Sequence, residues 1–473
     1  MSNWSSETAS LLKHFHMSTG DQFEREQSVV RMAAPEWKIV TPLIGLLVHA
    51  AIQNSILVIV PFVLLLLLLL LQLNKKHVHL LDFAVFEPPE EWKVSHKDIG
   101  KIIRNLSSER KRRGLAHHSE LDAQFQQKIL ANSGTGDATA WPPAIVQYRD
   151  ENDNEIPKHF IRMKHTREEA ETILFQCMDK LLAKTRIKPQ KIDCLIVNCS
   201  LFSPTPSLCA MICQRYGLNA EVKTYNLSGQ GCSASVIAVD LARDFLKSNS
   251  HSNVVVLSTE LISESIYHGH EKSMLIQNTL FRSGGAAIML SNKWYYSGAS
   301  KYSLHSLCRT QVSDDESYKS VYETEDEEGN KGIALSKKIT DVAGKTIAMN
   351  LKTIAIKVLP IVEKIKVALS VQRKNGKRKI TYTPHIKRAV QHLCIHTGGR
   401  AVLDTLQEKL KLSDDDMKPS RHVLYKYGNT SSSSIWYELD FLEQEKRVKP
   451  KDKVLQLAFG SGFKCNSIVW KKL

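Results

Sequence analysis

Hydrophobic positions along this chain change their spacing three times, and each change predicts a different kind of element. The first pattern is an almost unbroken apolar tract at residues 39–73, whose second half holds eight consecutive leucines at 64–71. A helix needs about 20 apolar residues to cross a hydrocarbon core, so this tract is expected to lie in a membrane. Gln53, Asn54 and Ser55 divide it into 39–52 and 56–73, which leaves two arrangements open: one tilted span centred on the leucines, or a hairpin of two short helices. The tract begins behind a charged stretch, 1–38, and has no small-residue cleavage site, so a cleaved signal peptide is not expected. Lys75 and Lys76 close it, and the basic run RNLSSERKRRG follows. By the positive-inside rule the C-terminal part then faces the cytosol.

The second pattern, at 74–156, is mixed and rich in Pro, Glu and Lys. It reads as a collar or linker and not as a domain. From about Pro157 a third pattern alternates amphipathic helical stretches with short apolar β-branched runs, which predicts a layered α/β core. Thr166 and Glu169 are spaced as a capping box in front of the helix EEAETILFQCMDKLLAK. KIDCLIVNCS, EVKTYNL, NVVVLSTE and GGAAIMLSN read as strands, and SVIAVDLARDFLK as a helix. A second series of similar layout occupies 299–473, so the core is expected as two halves, 157–298 and 299–473. No short-period repeat accompanies them, which excludes solenoids. Two charge-biased stretches, DDESYKSVYETEDEEGN and QRKNGKRK, are expected as solvated turns; the second could also meet an anionic leaflet.

Composition narrows the function. With 473 residues, 42% of them apolar, the chain can bury a large core. A net charge of +15 suits nucleic acid, an anionic membrane or a phosphate-rich small ligand. Nucleic acid is not expected, because zinc-finger spacing, an RNP-type motif and a long basic helix are all missing from the sequence. Nine scattered cysteines form no disulfide framework and point to a reducing, cytosol-facing environment. The glycosylation sequons at Asn3, Asn105, Asn198, Asn226 and Asn429 are then fortuitous.

Candidate chemistry gathers at three junctions of strand, glycine turn and helix. In TYNLSGQGCSASVIAVDLARDFL, Cys232 stands where a helix begins, so the positive end of the helix dipole and free backbone N–H groups should favour its thiolate. A cysteine so placed is more often structural than nucleophilic. In QHLCIHTGGRAVLD, His396 ends an apolar strand before a Gly-Gly turn; alone, it would be a satisfied core residue. Asn429, in YKYGNTSSSSIWYEL, would ordinarily be an N-cap. The shared context of the three argues for one site built from both halves.

The motifs NCSLFSPTPSL, NLSGQGCSA, KSMLIQNTLFRSGGAA, CIHTGGRAVLD, GNTSSSSIWYEL and AFGSGFKCNS follow in that order. With them the chain, from Asp82 to its C-terminus, resembles the plant 3-ketoacyl-CoA synthases of fatty acid elongation, members of the thiolase superfamily. The resemblance implies a layered αβαβα fold of two pseudo-symmetric halves with the active site between them, preceded by the transmembrane region. It places a catalytic Cys-His-Asn set on Cys232, His396 and Asn429, and His392 in support. It also makes Ser461, between Gly460 and Gly462, a backbone oxyanion donor. The implied reaction is a decarboxylative condensation of a long-chain acyl-CoA with malonyl-CoA to a very-long-chain 3-oxoacyl-CoA, without cofactor or metal. NADPH would belong to a partner reductase. Implied partners are a second copy of the chain and the 3-ketoacyl-CoA reductase, 3-hydroxyacyl-CoA dehydratase and enoyl-CoA reductase of an elongase complex, at the endoplasmic reticulum membrane with the catalytic part cytosolic.

Gln311 and Tyr425 stand where the family typically has histidines, which keeps open a non-catalytic elongase subunit of the same fold. Gln230, Gln277 and Thr279 also depart from its pattern and flank the pocket motifs, so a shift in chain-length preference is expected there. A type III polyketide synthase shares the Cys-His-Asn logic but is normally soluble, and the leucine tract argues against it.

Overall fold

The computed structural model describes residues 77–149, 161–374, 377–380, 382 and 385–473, with Gly45, Val60, Pro61, Val63 and Leu64 as isolated helical positions. The apolar tract at 39–73 lies outside the described residues apart from those five. Among the described residues no helix is long and apolar enough to cross a membrane.

Nine strands form one mixed sheet: β1 (His79–Val85), β2 (Cys194–Asn198), β3 (Lys223–Leu227), β4 (Asn253–Glu260), β5 (Gly284–Ser291), β6 (Tyr302–Gln311), β7 (His392–Ile395), β8 (Lys453–Gly460) and β9 (Lys464–Lys472). Their spatial order is β7-β8-β9-β6-β1-β5-β4-β2-β3. β2, β4 and β5 are buried along their whole length, which is why they read as continuous β-branched runs without alternation.

The duplication expected from the sequence is visible in strand direction. In the first half β2 pairs with β4 in parallel, β4 with β5 antiparallel and β5 with β1 antiparallel. In the second half β7–β8 is parallel, and β8–β9 and β9–β6 are antiparallel. The two sets join through β1 and β6 by only two residue pairs, His79 with Ser303 and Leu80 with Tyr302. The segment read as a collar therefore contributes β1, the strand at the centre of the sheet. Its HLLDFAV run follows only a few polar residues after the leucine tract and heads a stretch rich in Pro, Glu and Lys, which hid the start of the fold.

Helices cover the sheet in layers. α5 (Ala234–Ser248) and α10 (Ser434–Gln444) share one apolar cluster with the inner faces of both halves, including Val236, Val239, Ile435, Trp436 and Leu439. Trp436 meets Phe83 of β1 and Trp470 of β9 at ring-centroid distances of 5.7 and 6.2 Å. α3 (Met163–Thr185) packs Ile173, Leu174 and Leu181 on the outer face of the first half. α7 (Ile339–Val358) and α8 (Arg400–Leu410) cover the second, where α9 (Asp414–Tyr427) also packs. Helices thus lie between the two halves of the one sheet and on the outer face of each half.

Two local expectations change. α3 begins at Met163, so Thr166 and Glu169 lie inside the helix and form no cap. Thr166 bonds Glu264, and Glu169 is buried, accepting from Ser263 and the Ile262 and Ser263 amides. The acidic stretch expected as a turn supplies the first strand and the turn of an antiparallel hairpin, Val321–Glu325 with Lys331–Leu335. Its alternation is short and its charges face solvent, so charge masked the period.

Candidate active site

Cys232 lies in a 3-10 turn, Gly231–Ser233, that leads into α5, and a matching turn, Ser431–Ser433, leads into α10. The two central helices therefore start next to each other, and Ser235 of α5 donates to the Ser432 carbonyl at 2.7 Å. The serine run is a buried network: Ser432 accepts from Asn198 at 2.8 Å and bonds Ser258 at 2.9 Å. Ser434 bonds His396 Nδ1 at 2.8 Å.

Ser431 joins the three candidate residues. Its amide donates to Asn429 Oδ1 at 2.9 Å, and its carbonyl and hydroxyl act on the protonation of His396 and Cys232 respectively. The same hydroxyl donates to Glu260 Oε2 at 3.1 Å. Ser431 holds φ at 57°, the left-handed region that a side chain with a Cβ occupies at a cost of about 1–2 kcal/mol. Sequence reasoning passed over Ser431 and Glu260. The only trace of Ser431 was its place two residues after Asn429. Glu260 was visible as an acid ending an otherwise apolar strand.

The electrostatics reverse one expectation. Burial pushes the Cys232 thiol up to about 11; the Ser431 hydroxyl pulls it down and the Glu260 carboxylate pushes it further up. Because the 3-10 turn separates Cys232 from the first α-helical turn, the helix field does not outweigh desolvation. His396 is pushed down to about 3 by burial, opposed by the Ser431 carbonyl. The resting pair is therefore a neutral thiol with a neutral imidazole. Glu260 is raised by burial, opposed by the Leu201 amide, the Ser431 and Cys199 side chains and the Ser200 amide.

Each triad residue is fixed by its backbone. His396 follows β7 and donates its amide to the Leu457 carbonyl of β8 at 2.9 Å, with its ring edge-on to Phe459. Asn429 precedes α10 and pairs with the end of α6 (Lys272–Leu280): its amide donates to the Leu280 carbonyl at 3.3 Å and its carbonyl accepts from the Arg282 amide at 2.9 Å. With Oδ1 taken by the Ser431 amide, Asn429 keeps Nδ2 as a donor.

The turn between β8 and β9 closes on Cys232. A Cβ on Gly460 would lie 2.6 Å from the Cys232 nitrogen, and one on Gly231 2.8 Å from the Ser461 nitrogen. Glycine at 231 and 460 lets the Cys232 and Ser461 backbones meet, the proximity their expected role requires. Gly462, at φ 74°, turns the chain into β9.

His392 is not brought to this site. It lies at the opposite end of β7 from His396, bonding Asp452 at 3.0 Å, so its expected supporting role becomes an anchor for the strand. Gln311 is exposed at the end of β6, paired with Lys464, and Tyr425 is 64% exposed on α9. Gln230 is half-buried beside the Cys232 turn. Gln277 and Thr279 are buried in α6, where Gln277 bridges the Ser265 carbonyl and the Ile333 amide.

Beside the site runs an apolar slot of about 20 Å³ lined by Trp141, Leu201, Ile262, Gln277, Phe281 and Ile333. Leu201 donates its amide to Glu260, and Phe281 pairs with Asn429. Leu201, Ser265, Gln277 and Ile333 also line a wider neighbouring cavity of about 260 Å³.

Residues 70–375 match the family model described as FAE1/Type III polyketide synthase-like protein, and residues 388–473 match the chalcone and stilbene synthases, C-terminal domain. 3-ketoacyl-CoA synthase 5 of Arabidopsis thaliana is 45% identical over 402 residues, covering 83% of this chain and 77% of the relative. 3-ketoacyl-CoA synthase 6 of the same plant is 43% identical, covering 87% and 80%. Among solved structures, PKS-I from the brown alga Ectocarpus siliculosus superposes with a TM-score of 0.66 at 16% identity, over 84% of this chain and 98% of that one. CsyB complexed with CoA-SH gives 0.65 at 17%, over 84% and 100%. These structural likenesses establish a shared fold.

Proposed function

This chain belongs to the 3-ketoacyl-CoA synthase family, and from that premise we propose how its own residues carry out the condensation that elongates a fatty acyl-CoA. Cys232 sulfur attacks the thioester carbon of the priming acyl-CoA, the bond to the coenzyme A sulfur breaks, and the thiol proton leaves with coenzyme A. Malonyl-CoA then loses carbon dioxide, its carbanion attacks the acyl carbon held on Cys232, and the bond from that carbon to the Cys232 sulfur breaks, giving the 3-oxoacyl-CoA and a Cys232 thiolate that takes up a proton to restore the resting thiol. Release of carbon dioxide supplies the driving force, so the reading needs no cofactor or metal, and NADPH serves a partner reductase.

With the Ser434 hydroxyl donating to Nδ1, His396 keeps its proton on Nε2. That N–H and Asn429 Nδ2 are the donors for the malonyl thioester oxygen, where negative charge develops. Donors aimed at developing charge in a dry site are worth about 10²–10³ in rate each. The Cys232 and Ser461 amides would serve the tetrahedral states at the acyl carbon. For the thiol proton, the Ser431 hydroxyl offers a path to Glu260, whose raised affinity makes it a better acceptor than an imidazole pushed to about 3.

The observation that carries the reading is the turn Ser431–Ser433 beside the Cys232 turn, with Ser431 donating to Asn429 and acting on the protonation of both Cys232 and His396. The non-catalytic alternative loses its motive, since the replaced histidine positions, Gln311 and Tyr425, are on the surface. Membranes bearing the protein, fed labelled malonyl-CoA and acyl-CoAs of graded length, should form elongated products that vanish with Cys232→Ala. Failure of the unaltered protein to elongate any length would overturn the reading.

The slot past Leu201 and Phe281 is the proposed exit for the acyl chain. At about 20 Å³ it holds one water, so its lining must move to admit substrate. The leucine tract supports residence in the endoplasmic reticulum membrane with the catalytic part cytosolic. The exposed edge strand β3, with Tyr225 39% exposed, supports pairing with a second copy. The 3-oxo product calls for a reductase, a dehydratase and an enoyl reductase as partners.

A further inference from the structure

Helix Ile361–Leu369 is built inside out. Ile361, Val362, Ile365 and Leu369 are 70, 57, 51 and 81% exposed, while its buried residue is Glu363, held by Tyr382, Arg388 and Lys366. The spacing i, i+1, i+4, i+8 puts the aliphatic side chains on one stripe. In a helix of a globular core that stripe faces inward. Just upstream, Ile356 of α7 is 72% exposed as well.

Charge is equally one-sided. Between Glu363 and Asp404 the sequence holds ten lysines and arginines and no acidic residue. Five of the ten fall in the hairpin Val371–Lys374 with Lys377–Ile380, which follows the helix directly. An outward aliphatic stripe beside a polybasic segment is the pattern of a helix lying in a membrane interface, with apolar side chains at the acyl boundary and cations among anionic headgroups.

We infer that Ile361–Leu369 and its basic hairpin form an interfacial docking surface for an anionic lipid leaflet. A second copy fits this surface poorly, because a two-fold interface sets each patch against its own image and would oppose the two basic hairpins. The contact rests on the membrane residence proposed above but uses a different segment from the leucine tract. It would keep an enzyme of long acyl chains against the phase in which those chains concentrate.

The test uses the full chain carrying the photoreactive residue benzoylphenylalanine at position 365, reconstituted into phosphatidylcholine vesicles with or without phosphatidylserine. Irradiation should give lipid adducts at 365, more abundant by about fivefold or more with phosphatidylserine, since one basic residue near an anionic surface changes binding by about that factor. Lys374→Glu with Lys377→Glu should bring the yield down to that of phosphatidylcholine alone. The same probe at Leu121, 76% exposed on α2 (Glu120–Ala131), should stay free of lipid. Carbonate extraction separates the two readings. A chain released by carbonate refutes membrane residence. One retained without lipid adducts at 365, or cross-linked there to a second copy or another protein, refutes the docking surface alone.

Discussion

At Cys232 burial and the Glu260 charge push the thiol up while the Ser431 hydroxyl pulls it down, and the balance near 11 leaves it protonated at neutral pH. The thiolate fraction then grows about tenfold per pH unit, so the rate of Cys232 alkylation by iodoacetamide should still be climbing at pH 10. A plateau below pH 8 would instead reveal a thiolate–imidazolium pair. Glu260→Gln removes the raising charge and also the proposed proton acceptor. Alkylation should therefore shift to lower pH while acyl transfer to Cys232 slows by about tenfold or more; if both became faster, Glu260 would be only an unfavourable charge. Glu169 gives a stability test away from the site. Burial raises its carboxyl to about 7, opposed by Ser263, Ile262 and Ser283. Its stabilising protonated form is fully present below the unfolded value of 4.5, and its contribution is lost as pH rises through 7. Glu169→Gln should flatten that decline, by at most about 3 kcal/mol, as read from thermal unfolding across this window.

Among the elements, the junctions decide the chemistry. Gly460→Ala would push a methyl group to 2.6 Å from the Cys232 nitrogen, so the β8–β9 turn must shift. Condensation should fall about 10²–10³-fold, the usual loss for one displaced oxyanion donor, with the far-ultraviolet circular dichroism unchanged. On α6, Gln277 ties the Ser265 loop to the hairpin strand at Ile333 across the boundary between the slot and the wider cavity. Gln277→Ala should open that boundary and move the product distribution toward longer chains, as measured by chromatography of the elongated acids. The strand-turn-helix junctions at Cys232 and His396 were legible because glycine and small polar residues punctuate them, whereas Asn429 follows the helix α9 and not the strand expected before it, since α9 carries no sequence mark that separates it from an apolar strand. The serine run after Asn429 was not, since serines in sequence carry no sign of whether they are solvated or, as here, buried and mutually bonded.

Across the whole molecule the two halves meet through β1 and β6, and β1 comes from the stretch that looked like a linker. A chain begun at residue 77 should therefore keep the cooperative unfolding of the sheet, whereas one begun at 87, lacking Phe83 and its contact with Trp436, should fail to fold; thermal unfolding of the two purified chains checks this. The alternation of helix and strand, the duplication and the place of Cys232 at a turn before a helix were determined by the sequence alone, because periodicity, glycine turns and apolar runs act over a few residues. Tertiary structure decided the rest. Only folding places Ser431 and Glu260, far apart in the chain, against Cys232, carries His392 to the opposite end of the strand from His396, and sets the half-buried Cys232 beside the charge of Glu260. Proximity between distant segments and the dielectric they create together belong to no local pattern of residues.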